Sequence, residues 1–154
     1  MQPIDKAPVE GTDGPTSILV GVDGSGTSAR AGWYAAGLAR RQHARMTAVY
    51  VAPRKSLSTW GPHDADWDTA QREAVDQVAE DMRRRVAEFS KYLGIEITFV
   101  AVWGDPFTEL CRIAGEIRAD AVVVGASAHA GHRLVGSLAV RLVKAARWPV
   151  TVVP

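Results

Sequence analysis

Residues 121–137 read AVVVGASAHAGHRLVGS, and a helical pattern follows them as far as WPVTVVP at residues 148–154. The β-branched run predicts a buried strand, and the Gly-Ser step after the small-residue loop predicts the start of a helix. A loop that leads from a strand into a helix presents free backbone N–H groups, which is a common way for proteins to hold phosphate. This stretch therefore predicts both an α/β fold and an anion-binding loop.

Short apolar runs and helical periods alternate along the rest of the chain. Strands are expected at residues 17–22, 46–51, 95–102, 121–124 and 150–153. Helices are expected at residues 26–42, at 66–93, from Pro106 with Asp105 as its cap, and at 137–146. The second helix has an apolar stripe expected to face inward, formed by Ala74, Val75, Val78, Met82, Val86, Phe89 and Leu93.

Five strands separated by four helices predict right-handed parallel crossovers. The expected fold is a single-domain, open, five-stranded parallel sheet with helices on both faces. Such sheets bind ligands beyond the carboxyl ends of their strands, where the strand order reverses. Asp23, Val51 and Gly125 all stand at expected carboxyl ends, so they are the first candidates for a site.

Composition and charge exclude several classes of protein. The 154 residues carry 18 Lys and Arg against 17 Asp and Glu, so nucleic acid or an anionic membrane is not expected as a partner. The basic run at residues 83–85 is interpreted as a solvated helix face. A single cysteine suits a reducing compartment, and no run approaches the roughly 20 apolar residues of a membrane span. We expect a cytoplasmic protein with a flexible tail at residues 1–16 and one domain at 17–154.

Three segments together resemble the universal stress protein family: ILVGVDGS at residues 18–25, GDP at 104–106, and the 121–137 stretch. The resemblance covers residues 17–154. It implies a Rossmann-like fold of the adenine-nucleotide alpha-hydrolase type. It also implies a cytosolic stress-response regulator that forms a homodimer through strand five, Val150 to Val153, and acts with regulatory protein partners.

The resemblance also implies a ligand and the residues that hold it. In the family, the acid at the position of Asp23 contacts the adenine end of a nucleotide, and the position of Val51 lines the base pocket. The family's phosphate loop reads Gly-x2-Gly-x9-Gly-[Ser/Thr], and this chain matches it at Gly125, Gly136 and Ser137. The implied ligand is ATP or another adenine nucleotide, and whether magnesium accompanies it stays open.

The chain departs from the family's loop at two points. Ala128 stands where the second glycine is expected, and only seven residues separate it from Gly136. Gly131 could supply backbone freedom in the shorter loop, so it joins the candidate residues. Two hypotheses remain: a nucleotide-binding regulator, and a nucleotide-free dimeric interaction protein with a degenerate phosphate loop.

Simpler structural roles are also open for the same residues. Asp23, directly before Gly24 and Ser25, could make an Asx-turn that starts the first helix. Ser137 could satisfy an orphan amide at the start of the last helix. Neither role conflicts with ligand binding.

Other chemistries receive weaker support. GSGTSA at residues 24–29 matches a dinucleotide fingerprint, but no acid stands near the end of strand two, where only Arg54 could meet a 2′-phosphate. The expected single domain also leaves no second domain to carry a substrate. His129 and His132 lie in a small-residue loop without acids or cysteine, which does not favour a metal site. Trp60, in the long loop after strand two, could cover a base or pack back on the helices.

No arrangement of nucleophile, base and orienting residue is recognisable. Cys111 lies beside the apolar stripe of the third helix and is interpreted as a packed core thiol. We therefore expect no enzyme, with slow or absent ATP hydrolysis at most.

Overall fold

The computed structural model describes residues 14–53, 65–127 and 136–154. The elements in chain order are β1 Ser17–Val22, α1 Gly26–Gln42, β2 Arg45–Pro53, α2 Ala65–Leu93, β3 Ile97–Gly104, α3 Pro106–Glu116, β4 Ala121–Gly125, α4 Ser137–Ala145 and β5 Val150–Val153. The predicted alternation of five strands with four helices is confirmed. Within the described ranges, no helix combines the length and the apolarity that crossing a membrane requires.

All strand pairs are parallel, in the order β3-β2-β1-β4-β5. Strand β1 is central, with Ser17 opposite Arg45 of β2 and Ile18 opposite Ala121 of β4. The chain first builds toward β3 and then returns to the other side of β1, so the strand order reverses between β1 and β4. A crevice is expected at the carboxyl ends of these two strands.

The two faces of the sheet carry separate apolar clusters. Side chains alternate along each strand, so Leu19 and Val122 pack on the side of α3 and α4, while Val20 and Val123 pack on the side of α1 and α2. These four residues are completely buried. The prediction of helices on both faces is therefore confirmed.

Three details of the sequence prediction were wrong. Strand β3 covers Ile97–Gly104, two residues later than expected. Ala74 and Val78 of α2 were expected to face inward but are exposed, Val78 by 42%. The sheet meets the row that contains Val75, Met82 and Val86, and Ala74 and Val78 lie to one side of that row. Apolar spacing locates a stripe, but the width of the contact depends on the packing partner.

The end of β4 touches the start of α1 at Gly125. A Cβ atom added to Gly125 would lie 2.6 Å from the carbonyl carbon of Thr27 and 2.7 Å from the backbone nitrogen of Ser28. Contacts this short with backbone atoms cannot be relieved by turning a side chain. Only glycine fits at this position, which lies at the crevice between β1 and β4.

We expect Gly125→Ala to lower the free energy of unfolding by about 1–3 kcal/mol, because the helix start must move away from the strand. The matched control is Gly115→Ala in α3, where an added Cβ meets no atom within 4 Å. That change should raise stability by about 0.5–1 kcal/mol through helix propensity. Urea unfolding of both variants provides the test, and equal effects would contradict the close contact at Gly125.

Helix α3 starts at a polar junction that also holds α4. The Asp105 carboxylate accepts hydrogen bonds from the Thr108 backbone N–H at 2.9 Å and from its hydroxyl at 2.8 Å. Arg141 of α4 lies 3.2 Å from the same carboxylate and 4.3 Å from the centre of the Phe107 ring. The hydrogen bonds from Thr108, with the guanidinium of Arg141, lower the pKa of Asp105 to about 2.

Because this pKa is lowered in the fold, the stability that Asp105 contributes is present above the ordinary value of 3.8 and is lost as the pH falls toward 2. We expect Asp105→Ala to cost about 1 kcal/mol at pH 7, most of it the lost helix cap. Asp105→Asn keeps a capping oxygen and should cost less. Urea titrations at pH 7 and pH 2 measure both costs, and a cost for Asp105→Ala that does not fall with pH would contradict this role.

Candidate functional site

A cavity of about 120 Å³ opens at the carboxyl edge of the sheet. It lies at the crevice between β1 and β4, where the strand order reverses. Three residues that sequence analysis proposed from separate segments line it together: Asp23, Val51 and Gly125. The topology therefore brings the ends of β1, β2 and β4 to one place.

One side of the cavity is apolar. Val49 and Val51 of β2 face Leu110 of α3 and Leu138 of α4, and Pro106 closes the rim. These side chains come from three different elements and offer no hydrogen-bonding groups. The chemistry of this wall suits a flat apolar ligand group.

The opposite side is the polar turn from β1 into α1. The Asp23 carboxylate accepts a hydrogen bond from the Ser25 N–H at 2.9 Å, and Ser25 Oγ in turn accepts from the Ser28 N–H at 3.1 Å. Ser25 is thus the N-cap of α1. The Asx-turn that sequence analysis offered as the simpler role of Asp23 is present.

The same turn keeps Asp23 ionised. Partial burial alone would raise the pKa of this carboxyl, but hydrogen bonds from Ser25 and Ser28 outweigh it and leave the pKa below its usual range. The Ser25 N–H donates to the single oxygen Oδ1, at 2.9 Å. The side chain can therefore accept hydrogen bonds from a ligand's hydroxyl or amino group.

The start of α4 lies beside the cavity, since Leu138 lines it and Ser137 precedes Leu138 in the chain. The N-cap is Gly136, which has no side chain to cap the helix, and the first turn holds no acid. Ser137 is the first residue inside the helix, as predicted, and Gly136 occupies the N-cap position at which a serine side chain would satisfy an orphan amide. The N-terminal amides of α4 keep their positive partial charge.

Both ends of the predicted phosphate loop are described. A Cβ atom added to Gly136 would lie 2.8 Å from Cβ of Ser127, so the two ends of the loop are in contact. Ala128 and Gly131, with His129 and His132, lie outside the described residues, and so does Trp60. Their predicted roles remain predictions.

Sequence analysis missed several residues of the cavity. Thr27 lines it, and its hydroxyl lies 3.0 Å from Ser25 Oγ, whereas the sequence drew attention to Thr27 only as part of the dinucleotide fingerprint. Leu110 is a core residue of α3, and its exposure to the cavity depends on the angle at which α3 crosses the sheet. Leu138 could have been found as the neighbour of the predicted Ser137.

The described residues offer little for metal or covalent chemistry. No group of three or more His, Cys, Asp or Glu side chains in the described ranges could hold a metal ion. Cys111 is buried in the cluster between the sheet, α3 and α4, and this burial raises the pKa of its thiol. The interpretation of Cys111 as a packed core residue is confirmed.

Comparison with known proteins agrees with this architecture. The model of the universal stress protein family matches residues 15–154. The universal stress protein MJ0531 of Methanocaldococcus jannaschii is 28% identical over 88% of this chain and 80% of its own length. Universal stress protein Rv2623 of Mycobacterium tuberculosis is 33% identical over 88% of this chain, which spans 44% of that longer relative.

Solved structures give the same result. UspA from Lactobacillus plantarum has a TM-score of 0.76 and 25% identity, over 90% of this chain and 97% of its own. The fold is shared by a universal stress protein in complex with cAMP, with a TM-score of 0.65 and 23% identity over 90% of this chain and 96% of its own. It is also shared by an Arabidopsis thaliana member with AMP bound, with a TM-score of 0.65 and 18% identity over 90% of this chain and 91% of its own. Since the family model matches nearly the whole chain and the sheet has this family's architecture, the chain belongs to the universal stress protein family.

Proposed function

We propose that this protein binds an adenine nucleotide at the carboxyl edge of its sheet. The observation that carries the proposal is the cavity that joins Asp23, Val51 and Gly125 beside the uncapped start of α4. One ligand that has an apolar ring, hydrogen-bond donors and a phosphate would use all of these features. Family members with bound cAMP and AMP support this choice.

The size of the cavity indicates how the ligand would lie. At about 120 Å³, it is smaller than the roughly 300–1,000 Å³ of pockets that enclose a drug-sized ligand. We infer that it takes the base and part of the ribose, between Asp23 and Val51. The phosphates then lie outside the cavity, at the amides of Gly136 and Ser137.

The proposed role is regulatory and not catalytic. Fast phosphoryl transfer requires cationic charge on the γ-phosphate and a positioned water, usually with a metal ion. Within the described part of the chain, Asp23 is the one carboxylate that lines the cavity, and it is engaged in the turn with Ser25. We therefore propose a cytoplasmic stress-response regulator that binds ATP or a related adenine nucleotide, hydrolyses it slowly or not at all, and acts through regulatory protein partners.

The first test changes the phosphate end of the site. Ser137→Asp adds a negative charge at the first position of α4, where an acid favours the helix but repels phosphate. We expect the affinity for ATP to fall by about tenfold or more, which corresponds to about 1.4 kcal/mol, while adenosine binds as before. Ser137→Asn, of similar shape and without charge, is the matched control, and calorimetric titration is the measurement.

A second variant, titrated in the same way, changes the end of the site that is proposed to hold the base and ribose. Asp23→Asn keeps an oxygen for the Ser25 N–H but removes the charge, and it should weaken adenosine, AMP and ATP by a similar factor. Should the wild-type protein give no heat with any of the three at millimolar concentration, the nucleotide proposal fails. The nucleotide-free interaction protein, which sequence analysis kept as the alternative, would then be the better account.

We also propose a homodimer through β5. The Pro149 and Val153 carbonyls of this edge strand accept hydrogen bonds from Val122 and Ala126 on the β4 side. Because alternate residues of a strand face the same neighbour, the backbone groups of Val150 and Val152 point to the open edge. Exposed Val143 on α4, at 55%, extends the apolar surface beside this edge. An unpaired edge of this kind favours pairing with a second copy.

Val152→Pro removes an N–H that points to the open edge and leaves the hydrogen bonds between β5 and β4 in place. Proline is tolerated at such edge positions, so the variant should fold. We expect the wild-type protein to sediment as a dimer at micromolar concentration and this variant as a folded monomer. Val152→Ala, which shortens the side chain but keeps the N–H, should remain dimeric. A monomeric wild-type protein, or a dimer that survives Val152→Pro, would exclude pairing through β5.

A further inference from the structure

A second cavity, of about 220 Å³, lies in the cleft between α1 and α2. Met82, Arg85, Val86 and Phe89 line it from α2, and Ala29, Gly32 and Trp33 line it from α1. This cleft lies on the opposite side of the β1–α1 turn from the candidate nucleotide site. It is larger than that site, and the function proposed above does not use it.

The wall of the cleft is aromatic and held in place. The Trp33 ring stands edge-on to Phe89, with centroids 4.5 Å apart and planes at 87°, and edge-on to Tyr92 at 6.3 Å. Despite these contacts, 53% of Trp33 is exposed. A large aromatic side chain fixed by its neighbours and still open to solvent is a ready contact surface for an apolar ligand.

Among the residues that the structure describes, Arg85 is the one charged side chain that lines the cleft. Its neighbours in the basic run are engaged, Arg83 with Glu80 at 3.3 Å and Arg84 with Asp81 at 2.9 Å. Arg85 makes no ion pair with any carboxylate in the described ranges. All three arginines of the run are exposed, as the interpretation of a solvated face expects, and Arg85 in addition borders an apolar recess.

Gly32 keeps the recess open. It lies inside α1, where glycine is less favourable than alanine, and yet an added Cβ would meet no atom within 4 Å. Packing therefore does not require glycine at this position, unlike at Gly125. Because Gly32 has no side chain, space remains in the cleft beside Trp33.

We propose that this cleft binds a small organic anion with a flat apolar body and one carboxylate. The body lies against Trp33 and Phe89, and the carboxylate pairs with Arg85, since guanidinium and carboxylate match in charge and geometry. A single cation beside a local recess favours a small molecule over a longer protein segment. Ionic and aromatic contacts together give the cleft its selectivity for the anion over a neutral analogue.

The two cavities share one wall. Val22, Ser25 and Ser28 line both. The turn also lies close to Met82 of the cleft, because a Cβ atom added to Gly24, whose φ is +82°, would be 3.0 Å from Cε of Met82. A ligand in the cleft therefore presses on the turn that holds Asp23. We expect the cleft ligand and the nucleotide to change each other's affinity by the same factor, an expectation that rests on the proposed function.

The test uses 1-naphthoate as the probe and neutral 1-naphthalenemethanol as its analogue. Titration calorimetry gives the affinities, and the indole N–H signal of Trp33 in two-dimensional NMR locates the binding. We expect naphthoate to bind with a Kd of about 1 mM or tighter and the alcohol to bind about tenfold more weakly. Arg85→Gln should reduce naphthoate to the level of the alcohol, whereas Arg84→Gln, away from the cleft, should change neither.

A second pair of variants guards against a folding artefact. Gly32→Leu fills the recess and favours the helix, so it should abolish naphthoate binding while the melting temperature holds or rises. Gly115→Leu makes the same change in α3, also in open space, and should leave binding intact. Binding that survives both Arg85→Gln and Gly32→Leu lies elsewhere and overturns the proposal.

Two further outcomes are decisive. A Trp33 indole signal that does not move at saturating naphthoate would also overturn the small-molecule site and would leave the cleft as a surface for a protein segment. For the shared wall, AMP is titrated with and without naphthoate, and equal affinities contradict the coupling. Absence of any AMP binding would overturn the proposed function and the coupling together, while the naphthoate result would still decide the cleft.

Discussion

The contact between Gly125 and the first turn of α1 is the constraint on which the site depends. Strand β4 runs beside β1 on the side away from β2, and its last residue, Gly125, lies against the backbone of Thr27 and Ser28. Any side chain here would separate the strand from the helix. The cavity is narrow, and three strand ends converge on it, because a bare backbone allows that approach.

The sequence predicted the fold well where a single local rule decides it. Buried β-branched runs gave the central strands, and the Asp105-Pro106 pair gave the start of α3, where the Asp105 carboxylate caps the helix by accepting a hydrogen bond from the Thr108 N–H. Predictions were wrong where the packing between two elements decides which residues are buried. The start of α4 at Ser137 was predicted correctly, whereas Val78 was expected to face inward, and its exposure depends on which row of α2 meets the sheet.

The site was predictable in part for the same reason. Asp23, Val51 and Gly125 could be assigned to strand ends from the sequence, and parallel topology then requires those ends to share one edge. The opposite wall could not be predicted, because Leu110 and Leu138 reach the cavity only through the packing angles of α3 and α4. The cleft beside Trp33 was missed altogether, since it depends on the spacing of α1 and α2, which no local pattern encodes.

The electrostatics of the two cavities differ in a way that separates their ligands. The carboxyl-edge cavity has a fixed carboxylate, Asp23, at one end and the positive start of α4 at the other. A ligand there must donate hydrogen bonds at one end and carry negative charge at the other, as a nucleoside phosphate does. The α1–α2 cleft has aromatic walls and the cation Arg85, which pairs with no carboxylate in the described ranges, so it selects an anion with an apolar body. Because the turn at Asp23–Ser28 forms a wall of both, one short segment of β1 and α1 would register two chemically distinct signals.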